Sequence, residues 1–416
     1  MRRVLRKNAL CAFVAGAGCA AMAWLGLYPF AWNDYESEAQ PSYEALVHGH
    51  VVDFLRLAPA YGGSLIERAP FALLTSLWGG GALSIYRMVA LPCLLASAAL
   101  GVYLVAQMRS RGRPVWWRAV ALGVCVANPI TLRALELGHP EELLGACLCV
   151  AAVLLSSRDR PVLAGVLLAL PGPPGESRLR GAILCLASAG AVAASLTLPI
   201  LLAGSTSFVA GARTVASSSN TIFQPMQVFW FLGHHSPNAE QLLGAAKHDF
   251  RLAPPWISRI SHPLVVAVAV PLTWLAWRAR AMRSRPGGEQ PGGAARSRTD
   301  ALLLLSLLLL LRFMLDTWDN VYYPLPFILA LLAWETDALP NPPVLALAVT
   351  ALVWLNVWLS TRVSADAQAL FFLVWSLPLA ASLGALLYLP SLARKPSTGA
   401  LRRPRSLMLT RPGADA

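Results

Sequence analysis

The stretch Ala301-Leu-Leu-Leu-Leu-Ser306-Leu-Leu-Leu-Leu-Leu311 decides which solvent this chain folds in, because its only polar group is one serine hydroxyl. Two longer runs, Gly181 to Leu202 and Phe371 to Leu389, are similarly apolar. They reach the roughly 20 residues that a helix needs to cross the hydrocarbon core of a bilayer. Composition points the same way: 56% hydrophobic and 13% charged residues over 416 positions, with mean hydropathy +0.55, cannot clothe a water-facing surface. Inside lipid every backbone N–H and C=O needs an internal partner, so repeated runs of this kind are helices. The expected fold class is therefore all-α: a polytopic helical membrane protein.

Apolar runs place about ten transmembrane helices near 8–28, 82–107, 115–130, 141–157, 181–203, 263–279, 299–315, 322–335, 343–361 and 370–390. Met1 to Leu27 opens with Arg2, Arg3, Arg6 and Lys7 and could pass for a signal peptide. Its apolar part, Ala9 to Leu27, exceeds the roughly 7–15 residues of a signal core, so a retained first helix is the better reading. The expected organisation is a single transmembrane domain, 1–393, with long outer loops at 28–81 and 204–262. A basic tail, 394–416, follows and is expected to be disordered.

Charge sets the orientation. Most of the 34 lysines and arginines fall in segments 1–7, 108–118, 158–180, 278–298 and 394–416, and the positive-inside rule makes these cytoplasmic, with both termini inside. Most of the 21 acidic residues fall on the opposite, outer side. The net charge of +13 thus follows from topology and contact with anionic lipid headgroups, and calls for no nucleic acid. All seven cysteines sit in apolar spans, so neither a disulfide framework nor a zinc site is expected. Between Arg158 and Arg180, the run Pro161 to Leu170 is too short to span alone, and Pro171 to Gly175 breaks any helix. A re-entrant or interfacial hairpin is expected there, and a flexible linker at Arg283 to Arg298. Residues Tyr43, Leu46, Val47, Val51, Phe54, Leu55 and Leu57 form an amphipathic stretch expected along the outer interface.

Three polar groups could carry chemistry. Asp34-Tyr-Glu36-Ser-Glu38 lies just beyond the first helix, and three carboxylates repelling one another beside lipid suit a general base; an ordinary solvated loop is the plain alternative. Asn128-Pro-Ile-Thr-Leu-Arg133 leads to Glu136-Leu-Gly138-His139-Pro-Glu141-Glu142. Helix capping explains the acids there but not Arg133 and His139, which suit an anionic headgroup. Arg312 lies at the edge of the leucine run, with Asp316 four residues on, then Asp319, Asn320, Tyr322 and Tyr323. An ionisable residue so placed marks a functional site or a structural ion pair. Arg68, Arg87 and the segment Gln227 to His235 are further outer candidates; His234 and His235 read as loop residues, since neighbours point to different faces. No P-loop, dinucleotide-binding glycine motif, GxSxG elbow or HExxH helix is present.

The layout resembles the glycosyltransferase C superfamily, within it a bacterial branch similar to the polyprenyl-phosphate-mannose-dependent alpha-mannosyltransferases. The resemblance is carried by Glu36-Ser-Glu38-Ala-Gln-Pro, Ala58-Pro-Ala-Tyr-Gly-Gly-Ser-Leu, Arg68-Ala-Pro-Phe, Gly138-His-Pro-Glu-Glu and Asp316 to Pro324. It implies transfer of mannose, or another hexose or pentose, from a polyprenyl-phosphate carrier to a cell-envelope glycolipid or glycan at the outer face of a bacterial plasma membrane. The base would be one of Asp34, Glu36 and Glu38. Arg68, Arg133, His139, Glu141, Arg312, Asp316, Asn320 and Tyr322 would hold substrate. No cofactor is certain; a divalent cation, if used, would take the same carboxylates and His139. Where relatives continue into a helical hairpin after Leu170, this chain has Pro171 to Glu176. A multi-span transporter or flippase and a non-catalytic membrane partner are the rival readings.

Overall fold

A computed structural model describes residues 2–27, 34–156, 177–217, 222–235, 251–283, 293–317 and 320–389. These residues form fifteen α-helices: α1 (Arg2–Leu27), α2 (Gln40–Val47), α3 (Val51–Arg56), α4 (Gly62–Leu74), α5 (Ala82–Ser110), α6 (Val115–Val126), α7 (Pro129–Leu137), α8 (Glu141–Ser156), α9 (Ser177–Leu202), α10 (Thr206–Ser217), α11 (Pro255–Arg283), α12 (Gly293–Leu315), α13 (Leu325–Ala338), α14 (Val344–Leu359) and α15 (Ala365–Tyr388). Among the described residues, the β-structure is a small antiparallel sheet, order β1-β3-β2, built from Ile222–Phe223 (β1), His234–His235 (β2) and Arg251–Leu252 (β3). The expectation that His234 and His235 are loop residues is corrected accordingly: both pair with β3.

Among the described residues, four stretches are long and apolar enough to cross a membrane: Ala82–Ser110, Val115–Leu137, Arg259–Ala279 and Ala365–Tyr388. This is the architecture of a multi-pass membrane protein. The expected span at 115–130 falls within the stretch Val115–Leu137 and is built of two helices, because Asn128 starts the second: its side-chain oxygen accepts a hydrogen bond from Ile130 N at 2.9 Å, with Pro129 at the first helical position. The expected linker ending at Arg298 is shorter than that, since α12 begins at Gly293. The expected hairpin near 161–176 and the tail 394–416 lie outside the described residues.

Helix α13 is the hub. It is buried from Leu325 to Thr336 and packs against α5, α6, α8, α12 and α14, as a helix that is apolar all round must. Where lipid is as apolar as leucine, helices hold together through close packing and interhelical hydrogen bonds. Both occur between α5 and α6. Gly101 admits Cys125 and Leu122, whose side chains would lie 3.0 Å from a Cβ there, and Ser97 Oγ donates to Cys125 O at 2.6 Å.

One end of the bundle is basic. Asp337, at the end of α13, receives Arg111 from just past the end of α5, Arg298 Nε from α12 at 3.0 Å and Thr299 Oγ1 at 3.0 Å. The other end carries Asp34, Glu38, His139 and Glu141. Here the expected amphipathic stretch 43–57 is two helices, broken at Gly49, whose φ is +86°. Tyr43, Leu46 and Phe54 are buried beneath α4 and α5, while Val51 and Leu57 remain exposed, so only part of the stretch is free to face an interface. The sheet stands apart on its own core of Phe223, Trp230 and Ile257. Arg251 ties it to the start of α15, its Nη2 2.9 Å and Nε 3.1 Å from the Asp366 carboxylate, which also accepts from Trp230 Nε1 at 2.7 Å.

Candidate functional site

Helix α7 ends at Gly138 in a left-handed turn, φ +90°, which no residue with a Cβ adopts cheaply. His139 N donates to Ala134 O at 2.8 Å and Gly138 N to Leu135 O at 3.3 Å, the paired closure of a helix C-terminus. Pro140 then leads into α8, and Glu141 and Glu142 occupy its first turn, where the helix dipole favours acids. This sharp reversal sets His139 in the turn between the two helices.

Asp34 meets it from another part of the chain. The residues Tyr35–Ala39 form a single π-helical turn directly after Asp34, a local form frequent at functional sites. The turn lies against Gly138: a Cβ there would be 2.6 Å from Tyr35 Cβ and 2.7 Å from Tyr35 N. Backbone thus approaches backbone, and Asp34 Oδ2 lies 3.3 Å from His139 Nε2. On the other side of the ring, His139 Nδ1 is 2.7 Å from Glu141 Oε1. The second oxygen of Glu141 lies 3.1 Å from Arg68 Nη2. Arg68 is 2% exposed, donates from Nε to Ser64 O at 3.0 Å and from Nη2 to Ser64 Oγ at 3.2 Å, and lies over the Tyr43 ring.

The result is a line of alternating charge, Asp34, His139, Glu141, Arg68, assembled from the segment after α1, the α7–α8 turn and α4. Tyr322 stacks on His139 with ring centroids 4.7 Å apart, and Tyr61 meets its edge at 5.6 Å. Asn320 Nδ2 donates to the Tyr322 hydroxyl at 2.9 Å and holds it in place. Burial alone disfavours a charged imidazole, but hydrogen bonds to Asp34 and Glu141 overcome it and push the pKa of His139 up to about 10. His139 is therefore an imidazolium at neutral pH, donating from both nitrogens. Burial, with the Glu141 and Glu38 carboxylates nearby, raises the pKa of the Tyr61 hydroxyl well above its ordinary value.

The three loop carboxylates are thereby distinguished. Asp34 touches His139, Glu38 lies on the Tyr61 side, and Glu36 is exposed. Arg133 pairs with Glu136 on α7 and keeps about a third of its surface exposed. Arg312 lies over the Tyr323 ring, and Asp316 is 3.3 Å from His262 Nε2. Arg87 is exposed, and no described group of three or more His, Cys, Asp or Glu is arranged to hold a metal ion.

Sequence reasoning missed the roles of Tyr61, Ser64 and His262. Tyr61 and Ser64 stand beside the glycines Gly62 and Gly63, close before Arg68, which is the only signal they offered. His262 lies at the junction of a long loop and an apolar run, where nothing local pairs it with Asp316. Fold and site together define a multi-pass, all-α protein with a charged, aromatic-walled cluster at the acidic end of its helices. Comparison with family models, curated proteins and solved structures finds no match.

Proposed function

We propose that this protein is an integral membrane glycosyltransferase of the glycosyltransferase C kind. It would have about ten spans and both termini in the cytoplasm, and would transfer mannose or a related sugar from a polyprenyl-phosphate carrier at the outer face of a bacterial plasma membrane. The observation that carries this reading is Asp34: a carboxylate 39% exposed, held by one oxygen on a half-buried His139 that Glu141 and Arg68 support from behind. A base needs a fixed orientation and an open oxygen, and this arrangement supplies both.

In the proposed reaction an acceptor hydroxyl attacks the anomeric carbon. The carbon–oxygen bond to phosphate breaks, its electron pair stays on the lipid phosphate, and the hydroxyl proton passes to the free oxygen of Asp34. Arg68, enclosed by Glu141 and Ser64, acts as a positioning residue. The partly exposed Arg133, together with Arg312, suits the phosphate, since a guanidinium offers paired donors to its oxygens.

The test is transfer from radiolabelled polyprenyl-phosphate mannose, and from other hexose and pentose donors, in membranes containing the inserted protein. Asp34→Asn is expected to lower transfer by about 10²–10⁴-fold, the usual worth of a general base, while Glu36→Gln leaves it within a few-fold of wild type. Equal transfer by Asp34→Asn and wild type would exclude Asp34 as the base. No transfer from any donor by the inserted wild-type chain would favour the transporter or partner readings.

A further inference from the structure

A groove of about 360 Å³ runs between α5 and α8, and it is within the size range of ligand-binding cavities. Ala96, Ala99 and Ala151 open it, Leu148 and Leu155 wall it, and Tyr103 lies at its basic end. Ala99 is exposed and Leu148, Ala151 and Leu155 are half-buried, so the groove faces outward from the bundle. A hydrocarbon chain fits such a groove, but lipid tails are as apolar as leucine and gain little by leaving the bilayer for it. Selectivity must come from what lies at the end of the groove.

That end is charged. The Tyr103 hydroxyl accepts from Gln107 Nε2 and is within electrostatic reach of Arg298. Arg298 and Arg111 share the single carboxylate of Asp337, which leaves one positive charge in excess. Arg109 and Arg113 stand on either side of Arg111 at the end of α5, with Asp300 the nearby acid on α12. Guanidinium groups at the basic rim of membrane-spanning helices favour anionic headgroups.

We propose that the groove between α5 and α8 is a binding site for an anionic phospholipid, with one acyl chain along Ala96, Ala99 and Ala151 and the phosphate at Arg298 and Arg111. The site is independent of the sugar-transfer reading and stands or falls without it.

The test uses the full chain in phosphatidylcholine vesicles carrying a trace of spin-labelled phosphatidylglycerol or spin-labelled phosphatidylcholine, and reads the motionally restricted fraction. Phosphatidylglycerol is expected to associate about fivefold more strongly, the effect of roughly one surplus cation near the membrane surface. Ala99→Trp, which fills the groove, and Arg298→Gln, which removes the surplus charge, should each bring the two lipids close to equality. Ala99→Leu serves the same purpose if the tryptophan variant fails to insert. Equal association of the two lipids with the wild-type chain overturns the proposal, whether the groove is empty or filled by the chain itself. A preference that survives both groove filling and Arg298→Gln also overturns it, because it would then belong to the basic surface at large.

Discussion

Gly138→Ala separates two costs that the structure superimposes at one position, and Gly49→Ala supplies the control. Both glycines end helices in the same hydrogen-bonded turn with positive φ, +90° and +86°. At Gly49 the His50 N to Ala45 O bond is 2.8 Å, and an added Cβ meets nothing within 4 Å. Gly49→Ala should therefore cost only the left-handed backbone penalty, about 1–2 kcal/mol. Gly138→Ala carries the same penalty and also places its Cβ 2.6 Å from Tyr35 Cβ. Carbon contacts settle at about 3.5–4.0 Å, so Tyr35 must recede by roughly 1 Å, and overpacking of this kind adds about 1–3 kcal/mol. The recession carries Asp34 with it. Its carboxylate lies 3.3 Å from His139 Nε2, and a further ångström ends the hydrogen bond.

Two readouts follow. Unfolding of the detergent-solubilised chain by titrated denaturant should show Gly138→Ala less stable than Gly49→Ala by about 1–3 kcal/mol. Histidine-labelled protein, with seven histidines to assign, should show the pKa of His139 falling from about 10 towards its ordinary 6.5 in Gly138→Ala but not in Gly49→Ala. Equal stability of the two variants, with His139 still titrating near 10 in both, would refute the argument that Gly138 sets Asp34 in place.

Arg68→Met should destabilise the chain by roughly 3–5 kcal/mol by leaving Glu141, whose side chain is only 12% exposed, without its guanidinium. Arg68→Met with Glu141→Gln should cost clearly less than the two single changes added together, and strict additivity in the double-mutant cycle would argue against a direct pair. The pKa of His139 is raised on folding from 6.5 to about 10, so its contribution to stability is fully present below about pH 6.5 and is lost as pH rises through about 10. It should amount to a few kcal/mol, at roughly 1.4 kcal/mol per pH unit of separation. Wild type and His139→Gln, unfolded across that window, should show slopes that differ; parallel curves would count against the imidazolium.

The solvent, the helices and one turn could be read from the amino-acid order. Lipid leaves the backbone no alternative to internal hydrogen bonding, so the apolar runs at 82–107, 141–157 and 343–361 became α5, α8 and α14 within a few residues. The turn Gly138-His-Pro-Glu-Glu was equally legible, because a glycine C-terminus and an acidic first turn are local chemistry. Which of Asp34, Glu36 and Glu38 would reach His139 was not legible: that depends on a π-helical turn seated on Gly138, about a hundred residues away in the chain. Nor did the order of residues say that Arg68 would be buried on Glu141, that Tyr322 would stack on His139, or that His262 would reach Asp316. The physical reason lies in the helices themselves. The leucine run Ala301–Leu311 of α12 and most of α15 are apolar on every side and carry no polar stripe to mark which face turns inward, so their rotation is set by packing against neighbours. The sequence thus specified that helices would form and where they would turn, and tertiary packing alone decided which side chains from distant segments would meet.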